Sequence, residues 1–194
     1  MTPLLDSINA FIIAGGRSRR FGRDKALFPV EGVPLIERVI SVLGGIFAEI
    51  SIIADDHGRF SGLGLPCHAD IVKGWGPLGG IYTALHHARP GGCFVVACDM
   101  PFLSGPLIRA MAGLTAGSDV LIPYLNGNFE ALHAFYSPGC LEPVGRSIQR
   151  GERRVVSFFE EVAVRRVENA WIREIADPAR VFININYLDD LEKF

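Results

Sequence analysis

Apolar and polar positions along this chain follow two periods, one of short unbroken runs and one of helical stripes. Ile8 to Ala14 is an apolar run ending in Gly15-Gly16, the pattern of a strand buried on both faces that enters a glycine turn. Leu35 to Leu43 places Leu35, Ile36, Val39, Ile40 and Leu43 on one helical face, with Pro34 at the first turn. Ile50 to Ala54 predicts a second strand. Gly74 to Gly80 predicts a glycine-rich turn, and Ile81 to Ala88 a helix with the stripe Ile81, Ala84, Leu85 and Ala88. Phe94 to Ala97 predicts a third buried strand that closes on Cys98-Asp99. Beyond it, Pro106 to Leu114, Leu141 to Gln149 and Arg154 to Val162 predict helices, whereas Val120 to Pro123, Ala131 to Phe135 and Val181 to Ile185 predict strands. Strands alternating with crossover helices imply a mostly parallel sheet covered on both faces. No repeat, low-complexity tract or linker divides the chain, so a single domain over residues 1–194 is expected.

Composition narrows the classes of function. With 49% hydrophobic and 21% charged residues in 194, the chain has the balance of one globular domain, which buries roughly two thirds of its unfolded surface. The net charge of -2 provides no broad basic surface, so nucleic acid is not an expected partner. The apolar runs fall far short of the roughly 20 residues of a membrane span. Met1 to Asn9 carries Asp6 and no basic cluster, unlike a secretory signal, and the expected location is the cytoplasm. Cys67, Cys93, Cys98 and Cys140 lack C-x-x-C spacing and are expected as small buried hydrophobes. The histidines His57, His68, His86, His87 and His133 show no metal-ligand spacing and are expected to be structural or exposed.

Ligands of open parallel sheets bind beyond the carboxyl ends of the strands, so the residues following each strand are the candidates for chemistry. Ala14-Gly15-Gly16 with Ser18 can turn backbone N–H groups toward a phosphate. Arg17, Arg19, Arg20, Arg23 and Lys25 concentrate five cations in nine residues of an otherwise near-neutral chain, which marks a polyphosphate site. The spacing is that of neither a Walker loop nor a dinucleotide fingerprint. Asp99, at the end of a buried strand, suits a hard divalent cation such as magnesium, although a lone aspartate there can equally cap the next turn. Asn184 and Asn186 alternate with isoleucines and so share a strand face, able to bind metal-linked water or acceptor hydroxyls, or simply to end the strand. Asp70 and the Gly74 to Gly80 turn are candidates for holding a base or ribose, with Trp75 either a stacking surface or a cover for the core.

Taken together, these motifs resemble the molybdenum cofactor guanylyltransferase family, from the first strand to the C-terminus. Ile13 to Lys25 is similar to that family's L-A-G-G-x-S-x-R-M-G-x-D-K, and Gly76-Pro77-Leu78-Gly79-Gly80-Ile81 to its G-P-L-A-G-I. Cys98 to Phe102 resembles C-D-x-P-F, Gly151 to Val155 a late G-E-R-R-V, and Asn184-Ile185-Asn186 an N-I-N-T-P segment. The resemblance implies a glycosyltransferase-A-like, three-layer α/β/α sandwich and the transfer of GMP from Mg-GTP to the phosphate of molybdopterin, with release of pyrophosphate. It assigns nucleotide binding to Ile13, Ala14, Gly15, Gly16, Lys25, Asp70, Gly79 and Asp99, and catalysis to Arg20, Lys25 and Asp99. It also makes Asp99 the Mg2+ ligand and Asn184 and Asn186 the acceptor side. Proteins that supply molybdopterin or receive the product are further expected partners.

The chain departs from the family pattern at Phe21 for a methionine and at Ala54, where the family often has an asparagine that touches the nucleotide. It departs again at Glu130-Ala131 for Pro-Leu, and at Tyr187-Leu188 after the paired asparagines. The competing readings are a cytidylyl or sugar-phosphate nucleotidyltransferase of the same fold, which generally shows Ala-Ala-Gly where this chain has Ala14-Gly15-Gly16, and a non-catalytic nucleotide-binding module.

Overall fold

The computed structural model describes residues 4–15 and 25–185. Its elements are, in order, β1 (Asn9–Ile13), β2 (Pro29–Val30), β3 (Val33–Pro34), α1 (Leu35–Gly44), β4 (Ile50–Ile53), β5 (Cys67–His68), α2 (Gly76–His86), β6 (Cys93–Ala97), α3 (Gly105–Ala112) and β7 (Val120–Leu125). They continue with β8 (Asn128–Phe129), β9 (His133–Tyr136), α4 (Leu141–Gln149), β10 (Val164–Glu168), α5 (Asn169–Arg173) and α6 (Pro178–Val181).

Among the described residues the central sheet has the order β10-β7-β9-β6-β1-β4-β5, with β8 pairing to β7. β1 runs parallel to both β4 and β6, β4 to β5 and β7 to β10, whereas β9 is antiparallel to β6 and β7. The sheet is therefore mostly parallel, as its apolar runs predict, with β9 reversed inside it. Alternate residues of each strand feed opposite cores. Ala10, Ile12, Ile52, Phe94 and Val96 pack beneath α1, α3, α5 and α6. Phe11, Ile53, Val95 and Ile122 pack beneath α2 and α4. Each fully buried side chain of this size contributes about 1.5–3 kcal/mol. The result is the α/β/α sandwich.

Several local expectations need correction. The Gly74 to Gly80 segment is a turn only at its start, because α2 begins at Gly76 with Pro77 in its first turn, where a missing N–H costs nothing. Arg154 to Val162 is not an α-helix. Val155–Glu161 winds as 3-10 turns, since Val155 and Phe158, and Val156 and Phe159, repeat at the i, i+3 spacing of that helix. Val181 to Ile185 is not a strand. Pro178–Val181 is a helical turn capped by Asp177, whose carboxylate accepts from the Ala179 N–H at 3.0 Å, and residues 182–185 follow without regular structure. Asn184 therefore lies on no strand face. The sequence pattern also hides β10, whose Arg165, Arg166 and Glu168 are exposed. Arg166 lies over the rings of Tyr124 and Phe129, which lets a charged segment serve as an edge strand.

Candidate active site

The chain leaves β1 for β4 and β5 on one side, then returns through α2 to β6 on the other, so the strand order reverses at β1. The crevice outside the carboxyl ends of β1 and β6 is the expected ligand position in such a sheet. Ile13 pairs with Ala97 at the end of the ladder, and the Cys98 N–H donates to Ile13 O at 3.1 Å. Gly15 and Asp99 each stand two residues beyond that last pair, at the same end of the sheet.

Lys25 and Asp99 meet there. Lys25 Nζ donates to Asp99 Oδ2 at 2.6 Å, with the two side chains 13% and 20% exposed. Asp99 Oδ1 is buried without a hydrogen-bond partner. An unpaired buried carboxylate oxygen costs on the order of 1–3 kcal/mol and more when charged, so its surroundings suit a cation. Among the described residues there is no cluster of three His, Cys, Asp or Glu. A single carboxylate would suit a magnesium site of the kind that uses one or two carboxylates, retained waters and substrate phosphates. The backbone frames the pair. Phe28 N–H donates to Lys25 O, Ile36 N–H to Ala26 O, and Ile185 N–H to Asp99 O, at 3.1, 3.0 and 3.0 Å.

Asp70 lies beside Gly15, since a Cβ there would stand 3.9 Å from Asp70 Oδ2. Its Oδ1 is also buried and unpartnered. Burial, and then the negative charge of Asp55, push the Asp70 carboxyl above the usual aspartate range. The next residue is tied to α2, with the Ile71 N–H donating to Thr83 Oγ1 and that hydroxyl donating to Gly79 O, both at 3.0 Å. Close approach explains two glycines of α2. A Cβ on Gly79 would meet Trp75 Cβ and Val72 O at 3.0 Å, and one on Gly80 would lie 2.7 Å from Ile13 Cδ1, so the helix start sits directly against the end of β1. Trp75 packs partly into the core under α2, and Arg153 lies 4.9 Å over its ring while donating to Gly74 O at 2.7 Å. The Gly151 to Val155 segment thus meets the Gly74 to Gly80 segment in space.

The structure brings Ile13, Ala14, Gly15, Lys25, Asp70, Gly79 and Asp99 to one end of the sheet. Asn184 is exposed next to Ile185, the residue bonded to Asp99. Gly16, Arg20 and Asn186, with the remaining arginines of the basic loop, lie outside the described residues. Sequence reasoning placed Arg153 in the Gly151 to Val155 segment without a role, and missed Asp55. Asp55 was accessible to the same strand-end rule, applied to β4. The histidine expectation holds where it is described, whereas the cysteine expectation of burial holds for Cys93 and Cys140 only, since Cys67 and Cys98 are partly exposed. His133 is fully buried between Phe94 and Phe182, and burial pulls its imidazole down to about 3, so it is neutral at pH 7. Cys93 and Cys140 are buried free thiols, the latter pushed up to about 12 by burial.

The Asp70 shift gives a pH prediction. Its folded pKa lies above the unfolded value, so the native state holds the proton to higher pH. Stability is lost as pH rises through that window, and at neutral pH the full cost is present. Asp70→Asn is expected to raise Tm at pH 7 by about 1–3 °C, modest because the carboxyl is only half buried, with the gain vanishing below the ordinary aspartate range. Nucleotide affinity should fall in the same variant. Thermal unfolding across pH checks this, and a Tm difference that does not change with pH would contradict it.

A mostly parallel α/β/α sandwich with a lysine–aspartate pair and an orphaned carboxylate oxygen at its switch point suits a nucleotidyltransferase. The description of the MobA-like NTP transferase domain matches residues 10–166. A probable molybdenum cofactor guanylyltransferase from Pelotomaculum thermopropionicum is 40% identical over 182 residues, covering 94% of this chain and 89% of the relative. Another from Clostridium perfringens is 32% identical over 187 residues, covering 95% and 94%. The crystal structure of molybdopterin-guanine dinucleotide biosynthesis protein A from Archaeoglobus fulgidus superposes with a TM-score of 0.82 at 29% identity, covering 96% of each chain. The chain belongs to the molybdenum cofactor guanylyltransferase family of MobA-like NTP transferases.

Proposed function

We propose that this chain transfers GMP from Mg-GTP to the terminal phosphate of molybdopterin carrying molybdenum, releasing pyrophosphate. The observation that carries the reading is the Lys25–Asp99 pair beside the Gly15 turn at the switch point, with Asp99 Oδ1 left for a cation. An oxygen of the acceptor phosphate attacks the α-phosphorus of GTP, one P–O bond forms, and the bond to the β-phosphate breaks. Asp99, whose Oδ1 is buried without a partner, would hold a magnesium ion, which would supply charge neutralisation of the triphosphate and its leaving group. Lys25, released from Asp99, turns its ammonium to the β- and γ-phosphates, where charge builds up on the leaving pyrophosphate. The Ala14 to Gly16 backbone and Arg20 would serve the phosphates, Asp70 and Gly79 at the start of α2 the nucleoside, and Asn184 and Asn186 the acceptor. No covalent nucleophile is required, because positioning and electrostatics account for transfers of this type. A metabolic enzyme of this kind works in the cytoplasm.

Pyrophosphate release with GTP, CTP, UTP and ATP, in the presence of molybdopterin and Mg2+, tests the proposal. GTP is expected to be preferred at least about 10-fold in kcat/KM, the contrast available to a site that hydrogen-bonds a base edge. Preference for CTP would remove the guanylyl assignment, and turnover without added divalent metal would remove the role given to Asp99.

A further inference from the structure

Apart from the two cores on the faces of the sheet, a third and smaller cluster joins Val30, Leu35 and Ile185 with Phe28, Phe102 and Ile183. It draws on three separate pieces of chain. Phe28, Val30 and Leu35 come from the β2–β3 hairpin and the residues on either side of it, shortly after Lys25, and Arg38 of α1 pins the hairpin by donating to Val30 O at 2.6 Å. Phe102 belongs to the turn that follows Asp99, with Arg180 of α6 lying 5.3 Å over its ring. Ile183 and Ile185 belong to the segment after α6. Ile185 is fully buried in this cluster while its N–H donates to Asp99 O at 3.0 Å, and its sequence neighbour Asn184 is exposed.

We propose that Ile185 is a positioning residue for Asp99, its side chain anchoring the cluster so that its N–H fixes the backbone from which the metal-binding carboxylate projects. The ion pair alone leaves Asp99 free to follow Lys25, whose own segment hangs on the same hairpin. Wedging Ile185 between hairpin and Phe102 removes that freedom. It also sets the exposed Asn184 at a constant offset from Asp99, so that the acceptor amide and the carboxylate move as one body. The inference rests on the reading that Asp99 holds the metal of a bound triphosphate.

The test uses the full chain, with Mn2+ and GTP as the probe and binding followed by the electron paramagnetic resonance signal of free Mn2+, referenced to the same Mn2+ and GTP without protein. Pyrophosphate release is the second readout, both taken well below the melting transition. Ile185→Val, which removes one methylene and folds with little loss, is expected to weaken Mn2+ binding in the presence of GTP about 3-fold. Ile185→Ala should weaken it about 10-fold or more and lower kcat by at least as much, as small misplacements at a reacting centre do. Ile172→Ala, an equally buried isoleucine under the sheet, should lower Tm while leaving Mn2+ affinity within about 2-fold of the parent. Unchanged affinity in Ile185→Val and in any folded Ile185→Ala overturns the inference, as does an equal loss in Ile172→Ala. Failure of the parent protein to bind Mn2+ with GTP at all overturns the metal-site reading itself, and the inference with it.

Discussion

Asp99→Asn is expected to reduce turnover on the order of 10^3-fold while leaving the fold in place, the scale seen when one preorganised electrostatic group is lost. The amide keeps the volume and a hydrogen-bonding oxygen, but it removes the charge that Oδ2 offers Lys25 and Oδ1 offers a cation. The effect on folding should be small, because the variant loses a partly buried ion pair together with the cost of an orphaned charged oxygen, two terms of opposite sign. Activity should not return at high GTP, since the deficit lies in metal placement rather than in nucleotide encounter. Pyrophosphate release at saturating GTP, measured beside a melting curve, checks both halves. Magnesium-dependent activity near the parent level would end the role assigned to Asp99, and a collapse of Tm would reassign the residue to folding.

The largest expected effect on stability comes from Gly92→Ala, at the opposite end of β6. Gly92 has φ +100°, and a Cβ there would stand 2.4 Å from Tyr136 O. That atom belongs to backbone, in a strand whose Tyr136 is registered to Cys93, so it cannot swing away as a side-chain tip would. The left-handed conformation alone costs an L-residue about 1–3 kcal/mol, and relieving the contact requires the β6–β9 ladder to open at its first rung. A loss of about 3 kcal/mol or more is expected, which for a domain of this size is a fall in Tm of roughly 6–12 °C. Calorimetry decides the matter, and a shift under about 2 °C would show that the ladder yields without cost. Because β6 carries Asp99 at its other end, any variant that folds should also lose part of its metal affinity.

The parts of the fold that were legible before any coordinates are those whose signal is local. β1, β4 and β6 announce themselves as continuous apolar runs because both of their faces are covered, and α1 does so by its stripe against the sheet. The sequence pattern leaves β10 unassigned and reads residues 182–185 as a strand because their conformation is decided by partners distant in sequence. Arg166 becomes a strand residue by stacking on Tyr124 and Phe129, while Ile183 and Ile185 look like a strand's inner face but bury themselves in the small cluster with Phe28 and Phe102. β5 and the β2–β3 hairpin are two-residue strands, too short to carry a period.

The site divides in the same way. Glycines after a strand, a lysine close behind them and an aspartate at the end of another strand are properties of residue order, and they suffice to propose a phosphate-and-metal chemistry. What order could not specify is adjacency. That Lys25 pairs with Asp99 across 74 residues and that Asp70 flanks Gly15 follow from the reversal of strand order at β1, and that Arg153 stacks on Trp75 follows from the packing of α4 against α2. A chain's local pattern sets which surfaces must be buried, whereas only the packing of whole elements sets which strand ends become neighbours, because that choice is made by the summed burial of two cores and not by any single segment.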